Sequence, residues 1–285
     1  ARLEAAGLSL ADGFGQGTLS AFDEAAWLVL WRLGLPLDSS LDDPDSVSNR
    51  PAAHEERAQV ATLLEARITS RKPLAYLTNE AWLQGVPFYV DERVIIPRSF
   101  IAELLAGESI DAWLSEDTRR MLDLCTGNGS LAVLAAMAWP DVMIEAADIS
   151  PDALAVARIN VNKHGLGKRI TLLESDGMAA CTGLYDLILC NPPYVNAATM
   201  AGLPAEFRAE PAIALHGGND GMDFIRSLFL TAARHMSENA VLVLEIGNER
   251  ANFERAFRTL QPLWFETSGG PDQVLLLTRQ QLLFA

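Results

Sequence analysis

The chain carries three cysteines, Cys125, Cys181 and Cys190, and four histidines, His54, His164, His216 and His235. Neither set shows the paired spacing of a metal site, so no metal is expected and the thiols are expected to be reduced. Basic residues are scarce as well: 22 Lys and Arg face 37 Asp and Glu, a net charge of −15. A protein that grips nucleic acid through its phosphates needs a clustered basic face, and none is visible. An acidic surface instead favours a basic partner, mainly through encounter rate, or serves solubility alone. Long apolar runs are missing too. Arg32 interrupts the segment from Ala26 to Leu37, well short of the roughly 18 residues that cross a bilayer, and no secretory leader is evident. The expectation is a cytoplasmic protein with neither a membrane nor a nucleic acid as direct partner.

What is present is enough apolar material for a core, 49% of 285 residues, and a length that suits two domains or one large domain with an extension. Apolar residues at three- and four-residue spacing predict amphipathic helices over 21–31 and 54–68, within a mostly helical stretch from Leu10 to Thr69. The acidic, turn-rich stretch from Asp38 to Ser46 separates them. From Pro73 to Arg98 the composition turns β-rich, with runs flanking Gly85-Val86-Pro87 and a further turn at Asp91-Glu92-Arg93, which predicts a hairpin linker. The divisions expected are a helical domain over 1–72, a linker over 73–98 and a second domain over 99–285.

Beyond Met121 strands alternate with helices, the signature of a doubly wound parallel sheet. Strands are predicted at 121–125, 142–148, 170–173, 185–190, 240–246, 263–266 and 274–278, seven in all. Helices are predicted at 100–105, 130–139 and 222–235, with another opened by Ser150-Pro151-Asp152, an N-cap followed by proline at the first helical position.

The most specific stretch is Asn191-Pro192-Pro193-Tyr194, which follows the apolar run 185–190 and so sits at the carboxyl end of a buried strand, where open α/β sheets bind ligands. Asn191 offers a side-chain carbonyl, and Pro192, followed by a second proline, offers a backbone carbonyl held by restricted φ angles. Two aimed acceptors suit a planar NH2 group, on which Tyr194 would pack flat. A plainer alternative stays open, in which Pro-Pro ends a strand and Tyr194 fills the core.

A glycine turn, Cys125-Thr126-Gly127-Asn128-Gly129, stands between a strand and a helix, as in nucleotide-binding folds. Asp148 ends the next strand about 20 residues on, where a carboxylate accepts from both hydroxyls of a ribose. The turn has no third glycine for a pyrophosphate, and nearby Asp123 would repel one while attracting an ammonium. That combination favours S-adenosylmethionine, with Asp176 accepting from the adenine amino group and Gly177 letting the ring approach. Asp148 as a helix cap and Asp176 as an ordinary turn residue are the plainer alternatives.

The motifs together resemble those of the glutamine methyltransferases that act on protein side-chain amides. They are Pro73 to Thr78, Glu80-Ala81-Trp82, Phe88 to Val94, Ile96-Pro97-Arg98-Ser99, Leu122 to Gly127, Asp148 to Leu154, Asn191 to Tyr194, Glu210-Pro211 and Glu245-Ile246-Gly247-Asn248. Cys125, which is Gly in the sister enzymes acting on translation termination factors, and Ser99-Phe100 after Pro-Arg, where those enzymes have Pro-Asp, point to the ribosomal-protein branch, whose substrate is large-subunit ribosomal protein L three. Asn128 and Ser130 depart from that branch, where Ser and Cys are usual.

The resemblance implies a Rossmann-like class I methyltransferase domain behind a helical substrate-recognition domain, and transfer of a methyl group from S-adenosylmethionine to a glutamine amide nitrogen. It implies cofactor contacts at Asp123, Cys125, Thr126, Gly127, Asn128, Gly129, Asp148, Asp176, Gly177 and Asn191. Substrate contacts fall at Asn191, Pro192, Pro193, Tyr194, Arg98 and Glu210, with Asn191, Pro192 and Tyr194 as the catalytic set. The segment 196–221 is the candidate substrate loop, or else a plain connector. Two rivals remain at this point: methylation of an exocyclic base amine, which the same tetrapeptide serves elsewhere, and a non-catalytic ribosome assembly factor.

Overall fold

The computed structural model describes residues 1–8, 17–43, 45–46, 50–204 and 206–284. The start of the helical stretch at Leu10, Pro44 of the acidic loop and Ala205 of the 196–221 segment lie outside the described residues.

Helices α1 (Arg2–Ala5), α2 (Ala21–Arg32) and α3 (His54–Ser70) form the amino-terminal layer. The Ser20 hydroxyl caps α2 by accepting the Asp23 amide N–H. The apolar stripes meet where Leu3 and Leu8 pack on Ala21, Ala25, Leu64 and Ile68. Arg67, a charged residue of α3, turns inward and is fully buried. Its Nε donates to Glu24 at 2.8 Å, and its guanidinium lies 3.5 Å from Glu206, which Arg71 also reaches at 2.8 Å. Two guanidinium groups thus offset two buried carboxylates, one on α2 and one far along the chain.

The linker is partly helical. Pro73 opens α4 (Leu74–Thr78), and Asn79, in the left-handed region at φ 53°, closes it. Strands β1 (Ala81–Leu83) and β2 (Val86–Phe88) then pair antiparallel, Leu83 opposite Val86. The turn is therefore Gln84-Gly85, both at positive φ, rather than Gly85 to Pro87. Pro87 fits inside β2 because a two-stranded ribbon leaves one edge with no ladder to donate to.

The large sheet runs β5-β4-β3-β6-β7-β9-β8. Its strands are β3 (Arg120–Leu124), β4 (Met143–Asp148), β5 (Ile170–Glu174), β6 (Tyr185–Cys190), β7 (Met236–Glu245), β8 (Leu263–Thr267) and β9 (Gly270–Thr278). All seven predicted strands are present, and the first five are parallel while β9 runs antiparallel to β7 and β8. Alternate residues face opposite sides: Leu187 and Leu189 enter one core, Ile188 and Cys190 the other. The first core is covered by α5 (Ile101–Ala106) and α6 (Ser130–Ala138).

Helix α7 (Pro151–Lys163) opens as expected, with the Ser150 hydroxyl accepting the Ala153 amide. After α8 (Ala197–Ala201) comes α9 (Asp223–Phe229), shorter than the expected 222–235. There the chain tightens into a 3-10 turn over Ala232–His235, and the Thr231 hydroxyl bonds back to the Ser227 and Leu228 carbonyls. Helices α10 (Arg250–Ala256) and α11 (Arg279–Leu283) complete the second layer.

Candidate functional site

Strand β3 has β4 on one side and β6 on the other, so the chain reverses direction across the sheet here and leaves a crevice at the carboxyl ends. Leu124 is in register with Cys190, which puts the turn after β3 and the tetrapeptide after β6 side by side. A cavity of about 530 Å³ fills this crevice. Its wall includes Arg98, Cys125, Thr126, Gly127, Asn128, Asp148, Asp176, Gly177, Asn191 and Pro193. Asp123, Gly129, Pro192, Tyr194 and Glu210, also expected at the site, are not among the residues that line it.

Cys125 ends the strand one residue earlier than predicted, because its φ of 61° is left-handed and breaks the ladder. Such a φ strains any residue with a Cβ. A hydrogen bond to Cys190, with burial, pushes its thiol up, so it is not a ready nucleophile. Gly127, at φ 56°, donates its N–H to Asp148 Oδ2 at 2.9 Å, while Ser150 N–H reaches Oδ1 at 2.9 Å. Asp148 is thereby oriented with lone pairs to spare, and burial raises its pKa.

Asp123 lies beneath the turn, 1% exposed. Its Oδ2 accepts from the Thr126 hydroxyl and, at 3.0 Å, from Ala132 N–H, whereas Oδ1 has no partner. Burial pushes its pKa up to about 7. The Nδ2 of Asn128 is a buried donor likewise without a partner. An unpaired acceptor and an unpaired donor beside one turn complement the ammonium and carboxylate of an amino acid, and Asp148 and Asp176 complement a nucleoside, so these residues fit S-adenosylmethionine.

Asn160 was not picked out by the sequence reading. Fully buried on α7, it donates to the Asn128 carbonyl at 2.8 Å and the Tyr89 carbonyl at 3.0 Å, and it accepts from Tyr89 N–H at 2.7 Å. It stitches the linker to the glycine turn. Ile149, Phe224 and His216 also line the cavity and also went unread. Ile149 is 48% exposed directly after Asp148, a sign that surfaces only once burial is known.

Among the described residues, neither the Asn191 side chain nor the Pro192 carbonyl is engaged in a hydrogen bond. Both acceptors are therefore uncommitted. The Tyr194 hydroxyl donates to Glu245 Oε1 at 3.3 Å, and burial pushes its pKa up. After Tyr194 the chain loops out and returns, with Val195 N–H bonded to the Leu215 carbonyl at 2.8 Å and Gly217 N–H to the Val195 carbonyl at 2.9 Å. This strap contributes Pro211, Ile213 and His216 to the cavity wall. Two buried carboxylates anchor it: Glu206 to the arginines of α3 and its cap, and Glu210 to Arg98 and to Ile96 N–H at 3.0 Å. Among the described residues no group of three or more His, Cys, Asp or Glu is placed to hold a metal ion.

The sheet order and the cavity at its switch point define a Rossmann-like methyltransferase, and the Methyltransferase small domain family matches residues 106–219. The chain is 49% identical over 284 residues to the ribosomal protein uL3 glutamine methyltransferase of Bordetella pertussis, covering 99% of this chain and 92% of that one. It is 47% identical over 279 residues to the protein of the same name from Burkholderia pseudomallei, covering 94% and 89%. The chain belongs to the family of ribosomal protein uL3 glutamine methyltransferases. Among solved structures, the hMettl16 catalytic domain in complex with MAT2A 3′UTR hairpin 6 shares the fold, with a TM-score of 0.53 at 14% identity over 79% of this chain and 81% of that one.

Proposed function

We propose that this protein transfers a methyl group from S-adenosylmethionine to the side-chain amide nitrogen of a glutamine in ribosomal protein uL3. The observation that carries the reading is the pair of uncommitted acceptors, Asn191 and the Pro192 carbonyl, beside a cavity whose residues fit the cofactor. Bound there, the cofactor supplies an electrophilic methyl on a sulfonium.

The chain's own residues do the rest. Asn191 and the Pro192 carbonyl each accept one hydrogen of the amide NH2, which turns the nitrogen lone pair out of conjugation and toward the cavity. Tyr194 packs on the amide plane. The nitrogen so held would be aligned with the methyl that a bound cofactor supplies, one amide proton passing to water as the N–methyl bond forms. The held orientation supplies most of the rate, in a regime where alignment is worth about 7–11 kcal/mol. Asp148 and Asp176 orient the nucleoside, and Asp123 faces the ammonium through the turn.

The helical domain recognises the protein substrate. Between α2 and the hairpin runs a groove walled by Trp27, Trp31 and Trp82, with Asp23, Asp38 and Glu80 beside them and no Lys or Arg in the wall among the described residues. Aromatic anchors inside an acidic rim suit a segment of a basic protein. The same acidity disfavours a nucleic acid as direct partner. No described helix is long and apolar enough to cross a membrane, and a cytoplasmic location belongs to the same reading.

The test offers radiolabelled S-adenosylmethionine with purified uL3, a translation termination factor and deproteinised ribosomal RNA in parallel. Label in uL3 supports the reading. Label in the termination factor alone keeps the chemistry and changes the substrate, and label in RNA alone overturns the amide assignment.

A further inference from the structure

Strand β7 ends on a carboxylate that the methyl-transfer scheme does not use. Cys190 is in register with Leu244, so Glu245 lies beside Asn191 at the carboxyl edge of the sheet. It is 2% exposed, and burial pushes its pKa up to about 7. A carboxylate is costly there unless its lone pairs are filled. They are filled unevenly. Oε2 accepts from the Ser99 hydroxyl at 2.6 Å, Phe100 N–H at 2.9 Å and Ile101 N–H at 3.4 Å, while Oε1 accepts from the Tyr194 hydroxyl at 3.3 Å.

The three donors on Oε2 come from the start of α5, where the N-cap residue Phe100 makes no side-chain cap of its own and the Ser99 hydroxyl accepts only Ile101 N–H at 3.2 Å. One oxygen of Glu245 therefore caps this helix from across the fold and leaves the other for a second task. What Glu245 adds is a fixed acceptor for Tyr194. Two residues on, Gly247 supports the same side chain from below: a Cβ there would stand 2.6 Å from Tyr194 Cε2. The end of β7 is therefore a cradle, with Glu245 taking the hydroxyl and Gly247 clearing the ring.

We propose that Glu245, locked by Ser99, is a positioning residue for methyl transfer, setting the tilt of the Tyr194 ring against the substrate amide. This rests on the reading above, in which Tyr194 packs on a glutamine amide. Arg98 holds the strap through Glu210, and Ser99, next along the chain, holds Glu245. One dipeptide thus sets two walls of the substrate site.

A double-mutant cycle separates this from a structural role, because residues acting through one another are non-additive. Glu245→Gln turns its amide oxygen to the three donors and leaves an NH2 facing Tyr194. It is expected to lower kcat on uL3 about tenfold while KM for S-adenosylmethionine stays within about twofold. Tyr194→Phe, which removes only the hydroxyl, is expected to give the same loss, and the double variant no further loss beyond about twofold. Equal losses from Glu245→Gln in both backgrounds overturn the proposal, as does an active Tyr194→Phe beside a slow Glu245→Gln. Should Glu245→Gln fail to fold, Ser99→Ala takes its place in the cycle, with the same two results deciding. Tyr194→Ala tests the underlying reading separately: unchanged turnover there would show that the ring does not meet the substrate.

Discussion

Arg98 and Glu210, 112 residues apart in the chain, meet in a two-point ion pair, Nη1 to Oε1 at 2.6 Å and Nη2 to Oε2 at 2.7 Å. Glu210 is fully buried and Arg98 lines the cavity beneath the ring of Phe207, 5.3 Å away. The pair fastens the strap that brings Pro211, Ile213 and His216 to the cavity wall. Removing one partner strands the other, at a cost of about 3 kcal/mol for a pair of this burial. Glu210→Ala is expected to lower the melting temperature and raise KM for the protein substrate, whereas Glu210→Gln, which can still accept from Ile96 N–H, loses less of both. Thermal unfolding and steady-state kinetics on the two variants check the order.

Asn191→Ala removes one of the two acceptors proposed to hold the amide and touches neither Asp148 nor the glycine turn. Turnover is expected to fall by about 10²–10³. Affinity for S-adenosylmethionine, read by calorimetry, should remain within about threefold of the wild type. A variant that loses cofactor binding and activity together would place Asn191 with the cofactor rather than the amide.

Asp123 and Glu245 titrate the opposite way from a salt-bridged carboxylate. Their ordinary values are 3.8 and 4.5, and burial pushes both up to about 7. Between those limits the folded chain holds protons that the unfolded chain has released, so stability falls as the pH rises through the window. The melting temperature is expected to decline from about pH 5 to about pH 7.5, less steeply in Asp123→Asn. An ammonium beside Asp123 favours its charged form, so cofactor binding should strengthen over about pH 6 to 7.5 and release protons, which titration in buffers of different ionisation enthalpy detects.

Much of the fold was legible because its signals are local. The seven strands announce themselves by apolar runs, α7 by Ser150-Pro151, and the cofactor turn by its glycines with Asp148 at the right spacing. Residues fixed by distant partners were not. Arg67 reads as one more charge on an amphipathic helix, and only the fold shows that it is buried against Glu206, 139 residues away. Ser99 and Glu245 are separated by 146 residues, and Tyr89 and Asn160 by 71. Asn191 to Tyr194 could be read as a site because the chemistry sits in consecutive residues, while the partners around Tyr194, Glu245 and through it Ser99, arrive from the end of β7 and the start of α5.

Trp82 is 43% exposed beside the groove of the helical domain. If that groove seats the substrate, Trp82→Ala should raise KM for uL3 about tenfold, the scale of an aromatic anchor, and leave cofactor affinity alone. Unchanged KM would move substrate recognition off this face.

The most direct measurement is to locate the methyl group. Recombinant uL3 is incubated with this protein and S-adenosylmethionine, digested, and sequenced by mass spectrometry. A single added methyl on the side-chain amide of a glutamine, absent when Asn191→Ala replaces the wild type, is the expected result. A methyl on a lysine, an arginine or a backbone nitrogen would contradict the assignment of Asn191 and Pro192 to a planar amide.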